Sequence, residues 1–138
     1  MGELIRRQIT AEWSIEVEDD FASRLEDGDL QLVVPGRTIW LSVWAPEDEP
    51  IEVVAELREG SPDFAQRFEE YGPHGELRYA TYYPEDDGSG GTQYSLHAYA
   101  IASGSFVQAA FLFDSPDDLD WALERWRSLR LTASYVWN

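Results

Sequence analysis

Arg37-Thr38-Ile39-Trp40-Leu41-Ser42-Val43-Trp44-Ala45 is the stretch that decides the fold, because its side chains repeat with a period of two. Ile39, Leu41, Val43 and Ala45 fall on one side of an extended strand, and Trp40 and Trp44 fall on the other. A strand that is apolar on both sides belongs in the interior of a sheet. Just upstream, Val34-Pro35-Gly36-Arg37 reads as a tight turn, with proline pre-setting φ at the second position and glycine supplying a positive φ at the third. The alternation of Leu30, Leu32 and Val34 therefore folds back as a hairpin that pairs 29–34 with 37–45.

Working outward toward the N-terminus, Glu26-Asp27-Gly28-Asp29 carries an Asp-Gly pair suited to another tight turn. Before it, Ile9, Ala11, Trp13, Ile15 and Val17 alternate with polar residues and predict a first strand over about 8–17. In the other direction, Asp48-Glu49-Pro50 opens a helix over about 49–59, on which Ile51, Val54, Ala55 and Arg58 share helical spacing and which Gly60 ends. Residues 61–71 admit two readings. Phe64, Phe68 and Tyr71 have helical spacing, but Pro73-His74-Gly75 suits the loop of a hairpin, and strand is preferred.

From Glu76 onward the pattern is β. Leu77, Tyr79, Thr81 and Tyr83 form one strand, and Tyr94, Leu96, Ala98, Ala100 and Ala102 form the next. Ser103-Gly104-Ser105 then turns into Phe106 to Phe113, which makes an antiparallel meander. Ser115-Pro116-Asp117-Asp118 is a helix start with an N-cap hydroxyl, proline at the first position and acids at the positive end of the helix dipole. Leu119, Ala122, Leu123 and Trp126 form the apolar stripe of this helix. Arg125, Arg127 and Arg130 gather toward its C-terminus, and a short closing strand is expected over 131–136. The pattern as a whole predicts an α+β fold, an antiparallel sheet of about six to seven strands with two main helices packed on it, in a single domain over 1–138.

Composition narrows the function. The 138 residues suit one core, since two would each have only about 70 residues. Twenty-seven acids stand against ten arginines, lysine is absent, and the formal charge is -17. Nucleic acid and anionic membranes are disfavoured partners for such a field, and a protein with a basic surface is the complementary one. There is no cysteine, which excludes disulfides and thiolate chemistry. The first residues lack the apolar run of a secretory leader, and no window reaches the ~18 apolar residues of a membrane span, so a cytoplasmic location is expected.

No catalytic, metal or cofactor motif stands out. His74 and His97 are the only histidines and have no ligand spacing. His74, between Pro73 and Gly75, reads as an exposed turn residue. His97 shares a strand face with Ser95 and Tyr99, where a solvated sheet position is the plainer reading and a pocket the sharper one. Gly88-Ser89-Gly90-Gly91 lacks the lysine and the helix of a phosphate loop, and no Gly-x-Ser-x-Gly elbow is present. Six Trp, seven Tyr and six Phe supply large contact area at low entropic cost, in cores and interfaces alike. Trp40, Trp44, Tyr82 and Tyr99 are therefore the candidates for an exposed interaction patch, against the simpler alternative that they pack in the core.

Trp13-Ser14-Ile15-Glu16-Val17 with the polar turn to Phe21, Gly36-Arg37-Thr38-Ile39-Trp40, and Asp117-Asp118 running through Trp126-Arg127-Ser128-Leu129 carry a resemblance at the level of pattern. The chain resembles the superfamily shared by the photosystem II extrinsic protein PsbP and the Mog-type Ran-binding import factor. The resemblance implies an α/β/α sandwich with a central antiparallel sheet, and members that act as binding proteins. The sequence shows neither the export segment nor the longer N-terminal extension of PsbP, so no photosynthetic role is carried over, and no family site residue is transferred. The expected function is thus a non-enzymatic binding or adaptor domain. The alternative is a small-ligand carrier or enzyme with a pocket between sheet and helices near His97 and Tyr99. A third option is that the acidity serves only solubility and salt tolerance.

Overall fold

A computed structural model of the chain describes residues 2–131. Ten strands and two helices follow in the order β1 (Leu4–Gln8), β2 (Trp13–Glu18), β3 (Ala22–Glu26), β4 (Asp29–Val34), β5 (Arg37–Trp44), α1 (Pro50–Gly60), β6 (Gln66–Tyr71), β7 (Leu77–Asp86), β8 (Thr92–Ala102), β9 (Ser105–Phe113), α2 (Leu119–Arg127) and β10 (Arg130–Leu131). They form an α+β fold with two antiparallel sheets. The larger has seven strands in the order β3-β4-β5-β9-β8-β7-β6, and the smaller has three in the order β1-β2-β10.

The expected β4–β5 hairpin is present, with Leu32 opposite Ile39 and Gly36 in its turn at φ +83°. The meander β7-β8-β9 also forms, and β5 pairs along its whole length with β9, which sutures the two halves of the chain. Of residues 61–71, expected as strand, 66–71 form β6, hairpinned to β7, and 61–65 form a bend and turn after α1. Helix α1 starts with a capping box, in which the Glu49 amide donates to Glu52 Oε1 at 3.1 Å, and Pro50 follows at the first turn. Before α2, the Ser115 hydroxyl accepts from the Asp117 amide, so the cap begins a 3-10 turn over Pro116–Asp118 rather than the α-helix directly.

Two expectations need correcting. The strand anticipated over 8–17 is a hairpin of β1 and β2, with residues 9–12 in the turn. Thr10 Oγ1 accepts from the amides of Glu12 and Trp13, and this local bond breaks the strand although Ile9 and Ala11 keep the alternation in phase. The closing strand comprises Arg130–Leu131, and the rest of the expected 131–136 lies outside the described residues.

The core lies on one face of the large sheet. Leu32, Ile39, Leu41, Leu96, Val107 and Phe111 point into it from the strands. Helix α2 and the small sheet close it from above with Ile15, Val17, Leu123 and three tryptophans. Each indole N–H has a partner: Trp13 donates to Ser105 Oγ at 2.8 Å, Trp126 to the Tyr99 carbonyl at 3.0 Å and Trp121 to Glu18 Oε1 at 3.3 Å. On the opposite face a second, smaller cluster of Val53, Val54, Tyr79 and Ile101 seats α1 over β7 and β8. No helix among the described residues is long and apolar enough to cross a membrane.

Candidate functional site on the open face of the sheet

Strand register puts one row of outward side chains across the sheet: Gln31, Trp40, Ala110, His97, Thr81 and Arg67 on six successive strands. Helix α1 covers the β7–β8 end of this face. Trp40, Ala110 and Leu112 stay half-buried beyond it, and Trp44 is 54% exposed, stacked on Phe106 at a centroid distance of 6.5 Å. Ala110 is the small residue between two large ones. Trp40 and His97 lie two strand spacings apart, about 10 Å, so the row forms a trough with an alanine floor.

At the helix side the trough deepens into a cleft of about 210 Å³. Glu56, Leu57, Ser61 and Pro62 line it from the end of α1, and Tyr83, His97 and Tyr99 line it from the sheet. Tyr83 stacks on His97 at 5.3 Å, and Phe64, 73% exposed, meets the Tyr83 ring edge-on at 5.8 Å. Ser61 Oγ donates to the Leu57 carbonyl at 2.7 Å and lies 2.7 Å from the Tyr79 hydroxyl, which ties the helix end to the sheet. Burial raises the pKa of Tyr99, helped by the neighbouring Tyr83 and Tyr79, and burial with the nearby Glu85 carboxylate raises that of Tyr83. Both phenols therefore remain neutral hydrogen-bond donors at physiological pH.

Around His97 the polar groups engage one another unevenly. Ser95 is fully buried and donates to Glu85 Oε2 at 2.5 Å, so its hydroxyl is engaged by a carboxylate and not by the imidazole. His97 Nε2 is buried without a hydrogen bond, 3.8 Å from the same Glu85 oxygen. At the rim, Glu56 has its pKa raised by a shared hydrogen bond with Asp48, and further by the charges of Asp48, Glu52 and Glu59. This corner of α1 is crowded with negative charge. A second hollow, about 180 Å³ beside α1, is bordered instead by the paired charges Arg58–Glu69 and Arg78–Glu70.

The structure brings Trp40, Trp44, His97 and Tyr99 onto the same face of the sheet, as their alternation requires, with Tyr99 packed against the cluster beneath α1. It does not bring Tyr82 there. Tyr82 points to the opposite face, stacked between Phe113 at 6.1 Å and Tyr94 at 6.5 Å against the main core. Sequence reasoning passed over Phe64, Tyr83 and Glu56 as site residues. Tyr83 carried a signal, since it shares a strand face with Tyr79 and Thr81, but the position of α1 above that face carried none.

No family model matches the chain, and no curated protein matches it. Among solved structures, a crystal structure from Bacteroides thetaiotaomicron VPI-5482 is similar in fold, with a TM-score of 0.69 at 13% identity. The alignment covers 87% of this chain and 45% of that one, so the chain spans less than half the length of this structural relative. The likeness supports the arrangement of strands and helices.

Proposed function

We propose that the chain is a binding module that docks a protein partner with a basic surface on the open face of its large sheet, centred on Trp40 and Trp44. The observation that carries this is the uneven covering of the sheet. One face is sealed by α2 and the small sheet, while on the other no element among the described residues lies over Trp40, Ala110 and Leu112 beyond α1. Aromatic side chains of this kind supply much contact area at small entropic cost. The formal charge of -17 sets the sign of the partner. Arg24, Arg37, Arg58, Arg78, Arg125 and Arg127 already sit within ion-pair distance of carboxylates, so the surplus acid is what faces outward. The resemblance to a superfamily of binding proteins points the same way.

The test uses isotope-labelled protein titrated with arginine- and lysine-rich peptides that also carry aliphatic residues. Amide shifts are expected to cluster on β4, β5 and β9, to fade as salt passes about 0.15 M, and to disappear in Trp40→Ser. Shifts spread evenly over the acidic surface, or unchanged in Trp40→Ser, would overturn the proposal. So would turnover of a generic esterase, phosphatase or glycosidase substrate that is lost in His97→Ala.

A further inference from the structure

The cleft between α1 and the β7–β8 pair has a composition that the chain itself uses elsewhere. Arg37 lies over the Trp121 ring at 4.6 Å while its guanidinium holds Asp118 through two hydrogen bonds of 3.2 and 2.9 Å. Arg127 lies over the Trp126 ring at 5.8 Å and bonds Glu70. In both places a flat cation rests on an aromatic face and is neutralised by a carboxylate at its edge. The cleft has the rings, in Tyr83, His97 and Tyr99, and the carboxylate, in Glu56 at its rim, but none of its lining residues is a cation. Arg58, near the end of α1, is held by Glu69, and Arg67, opposite Thr81 by register, lies beside the same glutamate.

Size narrows the occupant. At about 210 Å³ the cleft is smaller than the ~300 Å³ from which drug-sized and cofactor pockets begin. That space suits one side-chain head group. The cleft also opens onto the trough that runs past Ala110 to Trp40, so a residue bound there belongs to the same footprint as the docking surface.

We propose that the cleft is a guanidinium site, which takes the head group of an arginine from the docked partner, stacked against Tyr83 and His97 and neutralised by Glu56. This rests on the docking function proposed above and adds where the partner's arginine goes. The flat, weakly hydrated guanidinium stacks on rings where an ammonium would keep its water, which favours arginine over lysine.

The experiment follows the ring signals of His97, Tyr83 and Tyr99 by NMR in the full chain. The probes are the capped peptide acetyl-Gly-Arg-Gly-amide, its citrulline and lysine counterparts, and n-propylguanidinium. The arginine peptide is expected to shift all three rings, the citrulline peptide to leave them unmoved, and the lysine peptide to bind at least threefold more weakly. Tyr83→Leu and the exposed Glu56→Gln should each weaken the arginine peptide at least threefold, and the second variant keeps the test valid if the first disturbs folding. Equal shifts from citrulline would overturn the proposal. n-Propylguanidinium, which carries the head group alone, is expected to shift the same three rings, and its failure to do so would overturn the head-group assignment. Peptide signals confined to Trp40 and Trp44 would overturn the cleft and leave the docking surface standing. Signals confined to the cleft and unchanged in Trp40→Ser would do the reverse.

Discussion

The two faces of the seven-stranded sheet carry similar aromatic chemistry and use it in opposite ways. On the covered face, Trp13, Trp121 and Trp126 are at most 8% exposed and each indole N–H has an acceptor. On the open face, Trp40 is half-buried, Trp44 and Phe64 project into solvent, and His97 keeps a buried nitrogen without a hydrogen bond, 3.8 Å from Glu85. Satisfied and enclosed groups hold a fold together, whereas unsatisfied groups at a partly covered surface are available to a second molecule. The difference is one of layers: among the described residues, α2 and the small sheet close one side, and α1 closes part of the other.

The sharpest way to break this contrast is on the covered side. Trp126→Ala removes a fully buried indole and leaves the Tyr99 carbonyl without its donor, so about 3–5 kcal/mol of stability should be lost in urea unfolding. A loss below about 1 kcal/mol would mean that this face is not the main core. A smaller effect is expected where α1 is seated. Val54→Ala removes two buried methyl groups from the lesser cluster and should cost about 1–2 kcal/mol in the same measurement. A cost equal to that of Trp126→Ala would erase the distinction between the major and minor packing.

How much of this was legible in the sequence depends on whether a signal was local. The β4–β5 hairpin, the capping of α1 and the meander are written in turn residues and alternation, and those elements fall where expected. Strand β3 was not legible because all five of its residues are exposed, so it has no buried face to produce alternation. The β1–β2 turn was masked by apolar residues that happened to stay in phase. For the site, alternation placed Trp40, Trp44, His97 and Tyr99 on sheet faces opposite their buried neighbours, but it does not say which layer lies above each strand. Tyr82 shows the consequence: it lies one residue out of phase with Tyr83, on the face that α2 and the small sheet cover, where it stacks on Phe113 and Tyr94. The cleft escaped for the same reason, being made by α1 closing over β7 and β8.

Trp40→Ser tests the open side of the comparison directly. The side chain is half-buried and lies outside both core clusters, so its loss should cost no more than about 1 kcal/mol of stability while peptide affinity falls about tenfold or more. A loss of about 3 kcal/mol would make Trp40 a core residue and the two faces alike.

The smallest expected effect has the most informative sign. Glu56 has a raised pKa, from its hydrogen bond to Asp48 and the neighbouring acids, so its stabilising contribution is complete when it is protonated and is lost as pH rises through its folded-state value. Glu69, held by Arg58, has a lowered pKa and contributes in the opposite direction, losing its share as pH falls. Glu69 is present in both proteins and cancels in their difference. Glu56→Gln should therefore leave Tm unchanged at about pH 4 and raise it slightly at about pH 7, by less than Trp40→Ser lowers it. The same substitution is expected to weaken the arginine peptide. An acid that costs stability at neutral pH and is needed for binding is held in place for its charge, which a merely solvating glutamate is not. A fall in Tm at neutral pH would show instead that Glu56 stabilises α1, and the open face would then lose its strongest claim to differ from the covered one.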